Sequence, residues 1–171
     1  SSDLFNSIST EGMSTAGQFL TIILMFIGGS PGSTAGGVKT TTIGVLIVTV
    51  ISVIKGREDS EVFQRRFSKD LVYKAFTLLF VAFTLVIVVT MLLSYTEKGA
   101  SFIALFYETV SAMGTAGLTL GLTPELSSVG RVLIIMMMYL GRVGPLTVVL
   151  SITKKKVNSG IKYPEGKILI G

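Results

Sequence analysis

Apolar residues run almost unbroken from Ala75 to Leu93, 19 residues in all. At ~1.5 Å rise per residue this is about the ~30 Å of a bilayer's hydrocarbon core. One transmembrane helix is predicted over 71–95. A polar connector, 56–70, precedes it, and Thr96-Glu97-Lys98-Gly99 follows it. The next apolar stretch, 101–113, is only about half as long as a crossing requires, which predicts a helix that enters the membrane and turns back. It ends in Gly114-Thr115-Ala116-Gly117-Leu118-Thr119-Leu120-Gly121, where small residues favour an irregular backbone with free carbonyls, and the chain returns through Pro124 and Glu125. A further span over 128–153 is interrupted by Gly141-Arg142-Val143-Gly144-Pro145. The first segment, 1–55, has the same form: Gln18 to Ile27 apolar, Gly28 to Thr42 small and polar, Ile43 to Ile54 apolar again. It reads as a single helix broken at mid-membrane.

The two broken helices align. Setting Leu140-Gly141-Arg142 against Ile27-Gly28-Gly29 places Ser128-Val129-Gly130-Arg131 against Thr15-Ala16-Gly17-Gln18. The unit is helix, re-entrant loop, broken helix, complete over 71–153 and present as its last third over 1–55. In that register Thr15-Ala16-Gly17 opens a helix, where a hydroxyl serves as a cap. Its likeness to the later Gly-Thr-Ala-Gly leaves a filter element as the alternative. Gly32-Ser33-Thr34-Ala35-Gly36-Gly37-Val38-Lys39-Thr40 suggests a phosphate loop but fails its spacing, because Val38 separates Gly37 from Lys39.

Composition restricts the class. Of the 171 residues 49% are hydrophobic and 15% charged, and the mean hydropathy is +0.71, a balance that calls for lipid rather than water over much of the surface. The fold class predicted is all-α, a polytopic membrane protein. The net charge of +5 does not indicate nucleic acid, because the cations are not interleaved with stacking aromatics. They collect in and immediately beside the connector (Lys55, Arg57, Arg65, Arg66, Lys69, Lys74) and in the tail 154–171 (Lys154, Lys155, Lys156, Lys162, Lys167). By the positive-inside rule both are cytoplasmic. With no cysteine, histidine or tryptophan, conventional catalytic and metal-binding equipment is largely missing, and no enzyme or resident cofactor is expected.

Irregular backbone at membrane depth persists only inside protein or beside water. The helix over 101–113 directs its negative dipole end at the loop that follows, so carbonyls of Thr115, Ala116 and Gly117 can replace water around a cation; the alternative is a glycine-rich packing loop. Arg142, at mid-span, must face the bundle interior, either donating to loop carbonyls or joining two helices. Lys39 either pairs with loop groups or reaches cytoplasmic water. Glu108 is expected to satisfy a buried donor or a cation such as Arg131 rather than bind transported ions, and Met136-Met137-Met138 to pack. Repeats running in one direction favour a gated, passive pore over an ion-coupled secondary transporter, the alternative from another class.

Three segments resemble the Trk/Ktr/HKT superfamily of potassium transporters, most closely its KtrB-type membrane subunits. Met25-Phe26-Ile27-Gly28-Gly29-Ser30-Pro31-Gly32-Ser33-Thr34-Ala35-Gly36-Gly37-Val38-Lys39-Thr40-Thr41-Thr42 is similar to that family's third inner segment. Ser111-Ala112-Met113-Gly114-Thr115-Ala116-Gly117-Leu118-Thr119 resembles its fourth pore loop, and Gly141-Arg142-Val143-Gly144-Pro145 its fourth inner helix. The resemblance implies four helix, pore-loop, helix units around one pore, of which this chain supplies the end of the third and the whole fourth. It implies a selectivity filter at Thr115, Ala116, Gly117 and Leu118 and an intramembrane gate from Gly28 to Gly37 with Lys39, near Arg142. It further implies potassium, or sodium, as the transported ion, a homodimer, a cytosolic nucleotide-binding regulatory ring, and a cell-membrane location with the C-terminus in the cytoplasm. The tail Tyr163 to Gly171 resembles the family's C-terminus, so the missing repeats are expected before Ser1.

Overall fold

The computed structural model of the chain describes residues 12–56, 61–62 and 65–144. Five α-helices make up nearly all of it: α1 (Thr15–Ile27), α2 (Thr40–Ile54), α3 (Lys69–Thr96), α4 (Phe102–Gly114) and α5 (Ser128–Val143), with a 3-10 turn at Thr123–Glu125. In the connector two short strands, β1 (Glu61–Val62) and β2 (Arg65–Arg66), pair antiparallel. Otherwise the all-α class read from the sequence stands. The tail 154–171, and residues 145–153 of the last span, lie outside the described residues.

α3 is 28 residues long and its best window has a mean hydropathy of 2.8. At about 42 Å it exceeds the hydrocarbon thickness. Ala75, Ala82, Val86, Thr90 and Leu93 form its buried stripe, while Phe76, Phe80, Phe83, Ile87 and Met91 are exposed. A helix apolar on both faces belongs in lipid. The interior is built instead around the half-length helix α4, in which Tyr107 to Gly114 are all buried. It packs against α1, α3 and α5, and α2 lies on α3.

Three helices begin alike. The hydroxyls of Ser14, Ser101 and Ser127 accept the amides of Gly17, Ala104 and Gly130 at 3.3, 3.3 and 3.1 Å, each satisfying one orphan donor of a first turn. Thr15-Ala16-Gly17 therefore does open a helix, with the cap one residue earlier at Ser14. The ends differ. α1 stops at Gly28 (φ 69°) and α5 at Gly144 (φ 91°), each with its cap amide on the carbonyl four residues back. Counted from the caps α5 is 16 residues against 13, so it ends inside the interruption expected over 141–145 but about one turn after Gly141, the residue aligned with Gly28. Gly141 is a packing position inside α5, for the reason given next.

Candidate functional site

The free ends of α1, α4 and α5 and the loop after α1 meet at one point, because glycines let their backbones touch. A Cβ on Gly114 would lie 2.5 Å from the Met25 carbonyl oxygen, and one on Gly36 2.7 Å from that of Met113 and 3.1 Å from that of Gly141. A Cβ on Gly141 would collide with the Met113 carbonyl, and one on Gly28 with that of Gly36. The amide of Gly36 donates to both the Gly114 carbonyl (3.2 Å) and the Thr115 hydroxyl (2.8 Å). Thus the loop after α1 is bonded directly to the end of α4. The 13 residues of α4 and the first 14 of α5 each rise about 20 Å, which sets this junction roughly two-thirds of a hydrocarbon core away from their starts.

Beyond the junction the chain turns sharply. Thr115 is left-handed (φ 52°), and so is Gly117 (φ 73°). The amides of Thr115 and Ala116 return to the carbonyls of Ala112 (3.2 Å) and Ser111 (3.0 Å). Among the described residues no hydrogen bond ends on the carbonyl oxygens of Thr115, Ala116, Gly117 or Leu118. Ala116 and Gly117 are exposed, and a Cβ on Gly117 would meet nothing within 4 Å. The loop then climbs beside α4. The carboxylate of Glu108, itself 5% exposed, accepts the hydroxyls of Thr119 (2.8 Å) and Thr123.

The loop between α1 and α2 has an anchored base and an exposed tip. The amide of Val38 donates to Phe26 (3.3 Å) and that of Thr40 to Gly29 (3.1 Å), and Gly36, Gly37 and Val38 are buried. Ser30 to Thr34 are exposed, with a turn closed by the Ser33 amide on Ser30 (3.1 Å). One cation holds the tip, the Arg142 guanidinium donating to the Thr34 carbonyl, and a second holds the step to the base, the Lys39 ammonium donating to the Ala35 carbonyl. Lys39 has a φ of 75° and precedes α2 without a side-chain cap. A cation there faces the positive end of the helix dipole.

At the other end of α4 and α5, Glu97 joins the end of α3 to the start of α5. Its carboxylate accepts the Ser127 hydroxyl (2.5 Å) and amide (3.1 and 3.2 Å), and the hydroxyl bond chiefly holds its pKa below the ordinary value. The negative charge also suits a helix N-terminus.

The family model described as TrkH, cation transport protein, matches residues 1–160. The chain belongs to this family of cation transport proteins. Among its curated relatives are the potassium/sodium uptake protein NtpJ of Enterococcus hirae, 45% identical over 98% of the chain, and the Ktr system potassium uptake protein B of Bacillus subtilis, 39% identical over 98%. The Ktr system potassium uptake protein B of Vibrio alginolyticus is 35% identical over 98%. The chain spans 38, 37 and 36% of these relatives' own lengths. The resemblance read from the motifs is thereby borne out, KtrB-type relatives included.

Within this TrkH-family chain the residues singled out from sequence separate into two groups in contact. Thr115 to Leu118 form the turn after α4, and Gly28 to Lys39 form the loop bonded to it through Gly36. Arg142 reaches the second group and not the first. The pairing of Glu108 with Arg131 does not occur: Arg131 donates to the Pro124 carbonyl (3.0 Å), and two hydroxyls take the Glu108 carboxylate. The Thr119 and Thr123 hydroxyls, the Gly36–Gly114–Gly141 junction and the Glu97–Ser127 contact escaped sequence reasoning. A buried acid in an apolar helix is the signal that points to the first of these, since it demands donors nearby.

Proposed function

We propose that this chain forms the last third or so of a potassium-uptake pore, with Thr115, Ala116, Gly117 and Leu118 as its share of a backbone-carbonyl selectivity filter. One observation carries the reading: four consecutive carbonyls at the negative end of a buried half-length helix accept no hydrogen bond from any described residue. Carbonyls at membrane depth need a partner, and a dehydrated cation is one that a pore supplies. Among the described residues no group of three or more His, Cys, Asp or Glu gathers to hold a metal, so backbone oxygen is the available ligand. The relatives named for potassium and for potassium/sodium uptake support potassium as the cargo, with sodium as the competing ion.

In this reading the loop from Gly28 to Lys39 is the gate. It lies against the junction below the filter, and Arg142 holds its tip through Thr34. The remaining repeats precede this chain, the subunit is a homodimer in the cell membrane with its C-terminus in the cytoplasm, and a cytosolic nucleotide-binding ring acts on the gate. Nucleotide binds that partner.

Gly117→Ser in the full-length protein tests the filter. A side chain has room there, but a left-handed φ costs a non-glycine residue about 1–2 kcal/mol, so the carbonyls around it shift while the fold survives. Potassium flux should then lose its resistance to competing sodium. Unchanged selectivity in a folded variant removes this loop from the filter.

A further inference from the structure

The filter is assigned to a turn with little of its own structure, and something must hold its returning limb in place. From Gly114 back to Glu108 is six residues of helix, about 9 Å, whereas the five residues from Gly114 to Thr119 would span roughly 16 Å if extended. The limb therefore has slack. Its left-handed turns at Thr115 and Gly117 take up part of it, and the upper end needs a fixed point.

Resting on the filter reading, we propose that Glu108 is a positioning residue that sets ion selectivity by clamping the limb after the filter through Thr119 and Thr123. The carboxylate is buried on the face of α4 beneath the loop, and it accepts from Thr119 on one oxygen and from Thr123 on the other. Thr119 is tied in turn to the next bend, because its hydroxyl accepts the Gly121 amide at 3.1 Å. One acid thus fixes two points of a single strand, and the distance between them brackets Leu120 to Leu122.

A carboxylate suits this task because it is an acceptor on both oxygens, and both partners are hydroxyl donors. A buried charge is costly unless its lone pairs are used, so each hydroxyl is held firmly. Glutamine presents one acceptor and one donor, which forces one threonine to turn its hydroxyl round. Aspartate is one methylene shorter and cannot reach both. Glu108 touches no filter carbonyl in this arrangement. Its influence passes through the two threonines.

The test uses the full-length protein in proteoliposomes, reading the ratio of potassium to sodium flux, together with the melting temperature in detergent. Thr119→Val with Thr123→Val should lower the ratio by about tenfold, the factor that one buried hydrogen bond to a charged group is worth. Glu108→Gln should lower it in the same direction, and the triple variant should be no worse than the double, since all act through the same two bonds. The double variant should melt below the parent, because its buried charge loses both donors, whereas Glu108→Gln should melt close to the parent. The clamp is overturned if the folded variants keep the parental ratio, if the ratio falls only in step with melting temperature, or if the effects simply add. Gly117→Ser, measured alongside, separates the two readings. Selectivity lost there but kept in the clamp variants rejects the clamp alone, and selectivity kept in both rejects the filter and the clamp with it.

Discussion

Glycine does two different jobs in this chain, and the surroundings of each Cα tell them apart. At Gly36, Gly114 and Gly141 the missing side chain is replaced by another segment's carbonyl, so a methyl group would push backbone against backbone. At Gly117 there is open space, and the requirement is conformational. Gly44 meets neither condition: it lies in α2 with nothing within 4 Å of a would-be Cβ and no left-handed φ. Overpacking a site that cannot yield costs about 3 kcal/mol or more, whereas alanine for glycine within a helix gains up to about 1 kcal/mol. Gly141→Ala is accordingly expected to leave little folded full-length protein after detergent extraction, and Gly44→Ala to melt at or above the parental temperature. Size-exclusion recovery and thermal unfolding measure both. A well-behaved Gly141→Ala would mean that α4 and α5 are not in backbone contact. Among the described residues, the two non-glycine residues with positive φ, Lys39 and Thr115, stand one in each of the two loops that meet at Gly36, which is where strain is tolerated for function.

Among the elements, Glu97 on Ser127 ties the end of α3 to the first turn of α5. Its carboxyl titrates below 4.5, mainly because the Ser127 hydroxyl bonds the charged form. A carboxyl with a depressed folded pKa adds stability that is present above the unfolded value, near 4.5, and is lost as pH falls through the lower folded value. Thermal unfolding of the parent and Glu97→Gln should therefore differ at neutral pH and converge under acid, and Ser127→Ala, which also removes the cap, should lower the neutral-pH value further by about 1 kcal/mol. Equal pH profiles would mean that the clasp does not form. This contact was not legible in the sequence, since thirty residues and a whole re-entrant helix separate its partners. What was legible followed from length and composition. The apolar run at Ala75 to Leu93 became α3, the half-length run became α4, and glycine-rich interruptions ended α1 and α5. The register of the second break was misjudged because Gly141 and Gly144 look alike in sequence, and only the Met113 carbonyl against Gly141 distinguishes packing from termination. For Glu108 two partners were open, a buried donor or a cation such as Arg131, and the donor is what the structure shows, because two threonine hydroxyls on the returning limb reach it.

On the scale of the molecule, the proposed filter and gate are joined by a single amide, that of Gly36, which bonds the end of α4 and the first filter residue at once. This divides the gate loop into parts with opposite roles. The base, Gly36 to Val38, is buried and bonded to the turn after α4, so on the proposed reading cutting it should damage selectivity as well as closure. The tip, Ser30 to Thr34, is exposed and is held by Arg142 on Thr34. Removing Ser30 to Thr34, or making Arg142→Ala, is therefore expected to raise potassium flux in the full-length protein, to weaken its dependence on the cytosolic regulator, and to leave the potassium-to-sodium ratio unchanged. Deleting Gly36 and Gly37 instead should lower that ratio. If the loop only packs the bundle, the tip deletion will reduce flux together with melting temperature, because lost packing and lost fold go together. The two measurements on one preparation decide the matter: a tip deletion that melts like the parent and conducts no faster excludes the gate, and one that conducts faster with intact selectivity places closure in five exposed residues and the single guanidinium that secures them.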